Sequence, residues 1–223
     1  MKFYQRVALA ALALPAGAHA ATEDFQTWNA VNFSTHIAQN VPVTLELSGR
    51  MVDDSGRLGV VIFRPAIGYK ISDAVTVFVG YTHQKTINDG RADVDENRIH
   101  QQVNWRIGKI GKATVASRTR IEQRWVAGSR DMGWRVRERL QLQVPLKSKG
   151  ANFVVSNELL FALNTTDWGA RAGFDQMRNF VGVNFPLSKV VTLETGYQNR
   201  YQERRGAADR MDHIIPLTLN IKL

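Results

Sequence analysis

Arg118, Arg120, Glu122 and Arg124 place a charge at every second position of residues 117–125. Arg135, Arg137 and Arg139 repeat that spacing in the next segment. Successive side chains of a strand point to opposite faces, so a period of two gathers the charges of each segment on one face. Two adjacent strands of this kind form a basic wall, with Glu122 and Glu158 as counter-charges. Such a wall can pair into a structural plug, or it can bind and select anions. A nucleic-acid groove is the competing use. No aromatic stacking platform is interleaved with the basic residues, so nucleic acid is not expected as a partner.

Other site chemistry is sparse. His36, His83, His100 and His213 are scattered without metal-ligand spacing, and neither G-x-S-x-G nor a P-loop occurs. The chain has no cysteine, which removes disulfide frameworks and thiolate metal sites. No metal, cofactor or catalytic constellation is therefore expected. His100, between Arg98 and Gln102 on the charged face, reads as a hydrogen-bonded histidine.

The elements that carry these residues alternate almost throughout. Eleven half-apolar segments lie near 25–37, 41–52, 58–70, 74–86, 97–107, 113–126, 132–144, 151–165, 174–186, 190–202 and 211–222. Tight turns such as "ISD" at 71–73 alternate with longer polar links such as "INDGRADVDE" at 87–96. Short turns at one end and longer loops at the other are the habit of an outer-membrane barrel. A soluble barrel would turn the charges outward; a membrane barrel turns them inward. Three features favour the second. The segments reach the 9–11 residues that a spanning strand needs. Phe25, Tyr69, Tyr81, Trp105, Trp125, Trp134, Tyr197 and Tyr201 stand near strand ends on the apolar face, like girdles. Glu46, Glu122, Glu158 and Glu194 share the arginine face, as a narrow lumen requires.

Glu138 lies between Arg137 and Arg139, so it faces the lipid if they face the lumen. Pairing Val144 with Ala151 sets it opposite Asn157, and pairing Ile107 with Ala113 sets Gln101 opposite Thr119. Gln101, Thr119, Glu138 and Asn157 are then expected as one polar stripe over four strands, serving as a homodimer interface or a lateral lipid site. A β-bulge turning Glu138 inward is the alternative.

Residues 1–20 read as an export signal. Lys2 and Arg6 precede the apolar run "VALAALAL", and Ala18-His19-Ala20 is an A-x-A cleavage pattern. The run is too short to span a bilayer as a helix. Residues 21–223 would form a single barrel domain. Without Lys2 and Arg6, 27 basic residues face 20 acidic ones, a net +7 against +9 for the whole chain. The charges are spread out, not gathered in a tail. The final "HIIPLTLNIKL" alternates and resembles the C-terminal strand read by the outer-membrane assembly machinery, although it ends in Leu223 rather than Phe.

The motifs "DFQTW" (24–28), "ENRIHQQ" (96–102), "RTRIEQRW" (118–125), "WRVRERLQLQVPL" (134–146), "FDQMRNFVGVNFPLSK" (174–189) and "ETGYQNRY" (194–201) together resemble the domain of unknown function 2490 family. The likeness covers nearly the whole mature chain. It implies an outer-membrane barrel of Gram-negative bacteria with no assigned activity, and it brings no catalytic residues.

The sequence thus predicts an all-β protein, a single antiparallel transmembrane barrel of ten to twelve strands in the bacterial outer membrane. The expected function is a structural barrel or narrow channel with an Arg/Glu-lined lumen. Two alternatives are a lipid-modifying enzyme drawing on Ser117, Thr119, Glu138 and His83, and a soluble periplasmic ligand-binding barrel. One count conflicts with this scheme. Bacterial single-chain barrels have even strand numbers, yet segment 25–37 would run in the same direction as the last strand.

Overall fold

Alternation becomes eleven strands in the computed structural model, which describes residues 21–148, 150–204 and 206–223. The signal read at residues 1–20 lies outside the described residues. The strands are β1 (Thr22–Ala38), β2 (Val41–Val52), β3 (Arg57–Lys70), β4 (Val75–Thr86), β5 (Val94–Ile110) and β6 (Ala113–Val126). They continue with β7 (Met132–Pro145), β8 (Asn152–Ala162), β9 (Gly173–Pro186), β10 (Val191–Gln202) and β11 (Arg210–Lys222). No helix occurs among the described residues. Val, Ile, Thr and aromatic side chains at alternate positions suit a pleated surface and leave no helical stripe to bury.

Each strand pairs antiparallel with its sequence neighbours, and β1 closes the barrel against β11. That closing pair is parallel, with thirteen partners from Thr22↔Arg210 to Ser34↔Lys222. It resolves the conflicting count: β1 is a wall strand running with β11, and the barrel has an odd number of strands. The start of β1 therefore lies at the long-loop end, where the Thr22 amide donates to the Asp209 carbonyl at 2.8 Å.

Eleven strands about 4.8 Å apart and tilted about 40° enclose a backbone cylinder roughly 22 Å across. Arginines extended from opposite walls nearly meet across such a lumen. The shortest strand, β8, has 11 residues, enough to cross a bilayer.

Sidedness is unambiguous. Val79, Ile99, Trp105, Leu140 and Val181 point outward and are 42–50% exposed. Arg98, Arg120, Glu122, Arg135, Arg137 and Glu158 point inward and are at most 6% exposed. Of the girdle residues, Phe25, Tyr69, Tyr81, Trp105, Trp125, Trp134 and Tyr197 are exposed on the outer surface.

Two loops at the long-loop end are tied together. Asp167 accepts the backbone amides of Arg130 (3.0 Å) and Asp131 (3.3 Å), and Asp131 accepts the Asp167 amide at 2.8 Å. The Arg130 amide, then that of Asp131, holds the Asp167 carboxyl below its ordinary value of 3.8. A depressed folded-state value means that the tie is complete above that ordinary value and is lost as pH falls through the lower one. Exchange protection of the Arg130 and Asp131 amides, taken relative to an unstructured chain at the same pH, is expected to persist down to pH 4 and to fall below it. Exchange that is fast at pH 6, or that ignores Asp167→Asn, contradicts this linkage.

Candidate functional site

The lumen face of β5–β9 carries a continuous ion-pair network. Glu122 on β6 accepts Arg135 at 2.6 Å and Arg137 at 3.0 Å from β7, and lies 3.7 Å from Arg120. Glu158 on β8 accepts Arg118 at 2.7 Å, Arg137 at 2.8 Å and Arg178 at 3.4 Å. Glu96 on β5 accepts Arg98 at 2.7 Å and Arg124 at 2.5 Å. Register makes this possible: Glu122 is paired to Arg135, and Glu158 to Arg178, directly across their ladders. The eight residues of the predicted lumen network thus share one wall, and seven of them form ion pairs with each other or with neighbours on it. Arg139 is the exception; it lines the lumen beside Arg118, with its Nε buried and unpartnered.

His100 pairs with Gly80 across β4–β5 and is 1% exposed. A Cβ on Gly80 would stand 2.5 Å from the His100 ring, so only glycine leaves the imidazole its room. Its Nδ1 has no partner.

One cavity of about 1070 Å³ follows the barrel axis. Its lining reaches Thr86 and Gln202 at the loop end of their strands, and Asn152 and Lys222 at the turn end. Eleven arginines line it against three glutamates. Those arginines crowd the middle and loop-side lumen. The turn-side lumen is lined mostly by neutral donors and acceptors, among them Asn104, Gln141, Gln143, Asn184 and Asn220, with Glu194 and Lys222 as charged groups there.

Neither Trp28, the last residue of "DFQTW", nor Arg50 is singled out by the sequence as a site residue. Trp28 sits on the lumen face of β1 with the Arg50 guanidinium 3.7 Å from its ring centre. Arg200 and Arg178 approach the same ring at 5.3 and 5.4 Å. Trp28 and Arg50 are cross-strand partners, as are Arg178 and Arg200, but the meeting of the two pairs at the β1–β11 seam has no local signal. Arg200 is balanced by Asp212, which also holds Arg210 at 2.7 Å and Gln26 at 3.1 Å.

The polar stripe on the outer face is corrected. Val144 pairs with Phe153, so Glu138 lies opposite Leu159, and Asn157 opposite Leu140. A bulge at Arg106/Gly108 shifts β5 so that Gln101 faces Ile121, and Thr119 faces Val103. Both registers are displaced because turn length and bulges, not face parity, set them. Glu138 does pair with Thr119, and no bulge interrupts β7 there. Its carboxylate accepts both the Ser117 and Thr119 hydroxyls. Gln101 pairs reciprocally with Gln123 at 3.0 and 3.3 Å. Asn157 belongs to another row, Asn157–Asn179–Asn199–His213 over β8–β11, and donates to Asn179 at 2.7 Å. The stripe is therefore several self-paired groups, not one continuous line.

With acyl chains against this face, the Glu138 carboxylate disfavours the fold, though by less than a midplane lysine would. Glu138→Leu is expected to raise unfolding free energy in phospholipid vesicles by about 1–2 kcal/mol with unchanged oligomeric state. Loss of stability, or loss of an oligomer, contradicts this.

Of the residues considered for lipid chemistry, Ser117, Thr119 and Glu138 meet, but His83 is remote from them. Ser117 pairs with Trp105, which pairs with Val75; His83 lies eight residues further along β4. That is roughly 26 Å of strand. His83 instead contacts Asn97 at 3.1 Å and Asp95 at 3.4 Å. No cluster of three or more potential metal ligands occurs among the described residues.

A family model described as "Protein of unknown function (DUF2490)" matches residues 25–212. An uncharacterized protein of Methylorubrum extorquens strain AM1 is 38% identical over 227 residues, covering 98% of each chain. Among solved structures, the siderophore receptor PirA of Pseudomonas aeruginosa aligns with a TM-score of 0.30 at 12% identity. That alignment covers 80% of this chain and 34% of the receptor, so this chain spans about a third of the receptor's length.

Proposed function

Because the chain belongs to the DUF2490 family, a family of unknown function, we propose a function from its own geometry: a bacterial outer-membrane barrel whose basic lumen is a narrow path for small anions. The observation that carries this reading is the axial cavity, with eleven arginines against three glutamates and lining residues at both ends. Fixed positive charge in a narrow, low-dielectric passage raises the local concentration of anions and repels cations. The ion-pair network narrows that passage on the β5–β9 side and keeps its walls rigid.

The membrane part of the reading rests on the outer surface, where alternate strand residues are aliphatic and aromatic. Water would disfavour that surface, and acyl chains would not. The long loops then face outside, the tight turns face the periplasm, and β11 is the strand offered to the assembly machinery. Outer-membrane lipids are the partners of the outer face. Glu138, Gln101 and Asn157 on that face bond within the chain, so the reading needs no second copy. It assigns the chain no reaction.

Planar-bilayer recording tests the proposal. Under a potassium chloride gradient the reversal potential should report anion selectivity, and Arg139→Glu should move it toward zero or to cation preference. Cation selectivity in the unmodified barrel, or no current in a verified insertion, overturns the channel. Recovery of the protein in the soluble periplasmic fraction overturns the membrane assignment.

A further inference from the structure

Within the lumen, the three guanidinium groups around Trp28 differ from the rest in what balances them. Arg50 makes no ion pair among the described residues. It lies against the indole at 3.7 Å, and its Nε is buried without an acceptor. The nearest carboxylate on its strand, Glu46, is held by Arg64 at 2.5 Å. Arg178 shares Glu158 with Arg118 and Arg137, and its own Nε is also buried and unpartnered. Gln198 stands one alternate position from Arg200 on β10, and its Nε2 is a third buried donor without an acceptor. Asp212, the carboxylate of Arg200, is shared with Arg210.

The cluster thus presents three positive charges against two shared carboxylates, with three donors that lack acceptors. Folded proteins leave few buried donors unpaired, and an unbalanced buried charge is costly. The complement is a group that only accepts hydrogen bonds and carries more than one negative charge. Guanidinium forks match the paired oxygens of a phosphoryl group in geometry as well as charge. A halide supplies charge but not several directed acceptors. Trp28 fixes the plane of Arg50, and its own Nε1–H is engaged by Gln26 Oε1 at 2.8 Å, so the indole orients an arginine and leaves the ligand to the guanidinium edges.

We propose that Arg50, Arg178, Arg200 and Gln198, arranged around Trp28, form a binding site for a phosphate-type oxyanion, either inorganic phosphate or the phosphate of a small monoester. The inference deepens the anion-path reading by naming the anion's chemistry, and it rests on that reading only for how the ligand arrives. The site itself requires no current through the barrel.

Isothermal titration calorimetry on the purified barrel in detergent tests this, at pH 7.5 and constant ionic strength in chloride. Inorganic phosphate and glycerol 1-phosphate are titrated separately, and the tighter of the two identifies the source. Saturable binding of either at one site per barrel is expected. Arg50→Gln should weaken it at least tenfold, and Arg50→Lys should do so by less, because charge remains but the fork is lost. Gln198→Leu removes a donor that has no acceptor among the described residues, so it should weaken binding with the fold intact if Arg50→Gln does not fold. Arg130→Gln, on an exposed loop, controls for overall charge and should bind like the unmodified protein. No saturable binding of either ligand, or affinity unchanged in both Arg50→Gln and Gln198→Leu, overturns the site. Phosphate binding by a barrel that carries no current keeps the site and removes the channel. Anion current through a barrel that binds no phosphate does the reverse.

Discussion

Glu122→Gln is expected to destabilise the barrel by about 3–5 kcal/mol in urea titrations in phospholipid vesicles, the range seen when one partner of a buried ion pair is removed. Glu122 is 1% exposed and accepts Arg135 and Arg137 directly, with Arg120 at 3.7 Å. Glutamine keeps the shape and removes the charge, so three inward arginines on β6 and β7 lose their shared counter-ion. Arg120 and Arg137 have further partners in Gln102 and Glu158, whereas Arg135 retains only Asp175 at 3.4 Å. Replacing Arg135 by methionine in the Glu122→Gln background should recover part of the loss, because the least compensated charge is then gone. A single-variant loss below about 1 kcal/mol would show that lumen water already solvates these groups.

The second large effect is expected at the closing seam. Asp212 is fully buried and joins Arg200, Arg210 and Gln26 at the β11–β1 pair. Arg210 in turn holds Asp24 at 2.7 Å. Asp24 accepts the amide of Asp54 at 2.9 Å, where Asp53, Asp54 and Ser55 all have left-handed backbone. One carboxylate therefore anchors the loop-side half of the parallel seam. Asp212→Asn should cost about 3 kcal/mol, the lower part of the buried-pair range, because Arg210 is partly solvated. The loss should be local. Amides of β1 near Thr22–Asn29 are expected to lose exchange protection before those of β2–β10, since β1 and β11 are the one neighbouring pair that no turn joins. Uniform loss of protection around the barrel contradicts this account. The same experiment on Glu122→Gln should show the opposite distribution, with β6 and β7 most affected.

Much of the architecture was legible in the residues alone. The alternation of Val75, Val77, Val79 and Tyr81 against Thr76, Phe78, Gly80 and Thr82 fixes a strand and its two faces, because period two is a property of the backbone itself. The segment limits of β2 and β6 match the strands residue for residue, since turn residues interrupt the pattern on each side. Arg118, Arg120 and Arg124 against Ile121 and Trp125 fix which face holds charge.

What the sequence by itself determined is therefore strand content, face composition, membership in a family and some strand ends, although β1, β5 and β8 depart from the expected limits by about three residues. Tertiary structure alone decided the rest. A slip of two residues, such as Val144 meeting Phe153 instead of Ala151, leaves every side chain on its original face, so alternation is blind to it. Yet that slip moves Glu138 from Asn157 to Leu159 and breaks up the outer stripe. Parallel closure of β1 on β11 depends on how eleven strands bend round to meet, and no local segment encodes that. Trp28 and Arg50 are cross-strand partners in β1–β2, and Arg178 and Arg200 in β9–β10, but the two pairs are distant in sequence and meet only because β11 closes on β1. Their meeting is a consequence of closure and barrel radius, because Arg178 stands three strands from β1 and reaches the indole only where the wall curves this tightly.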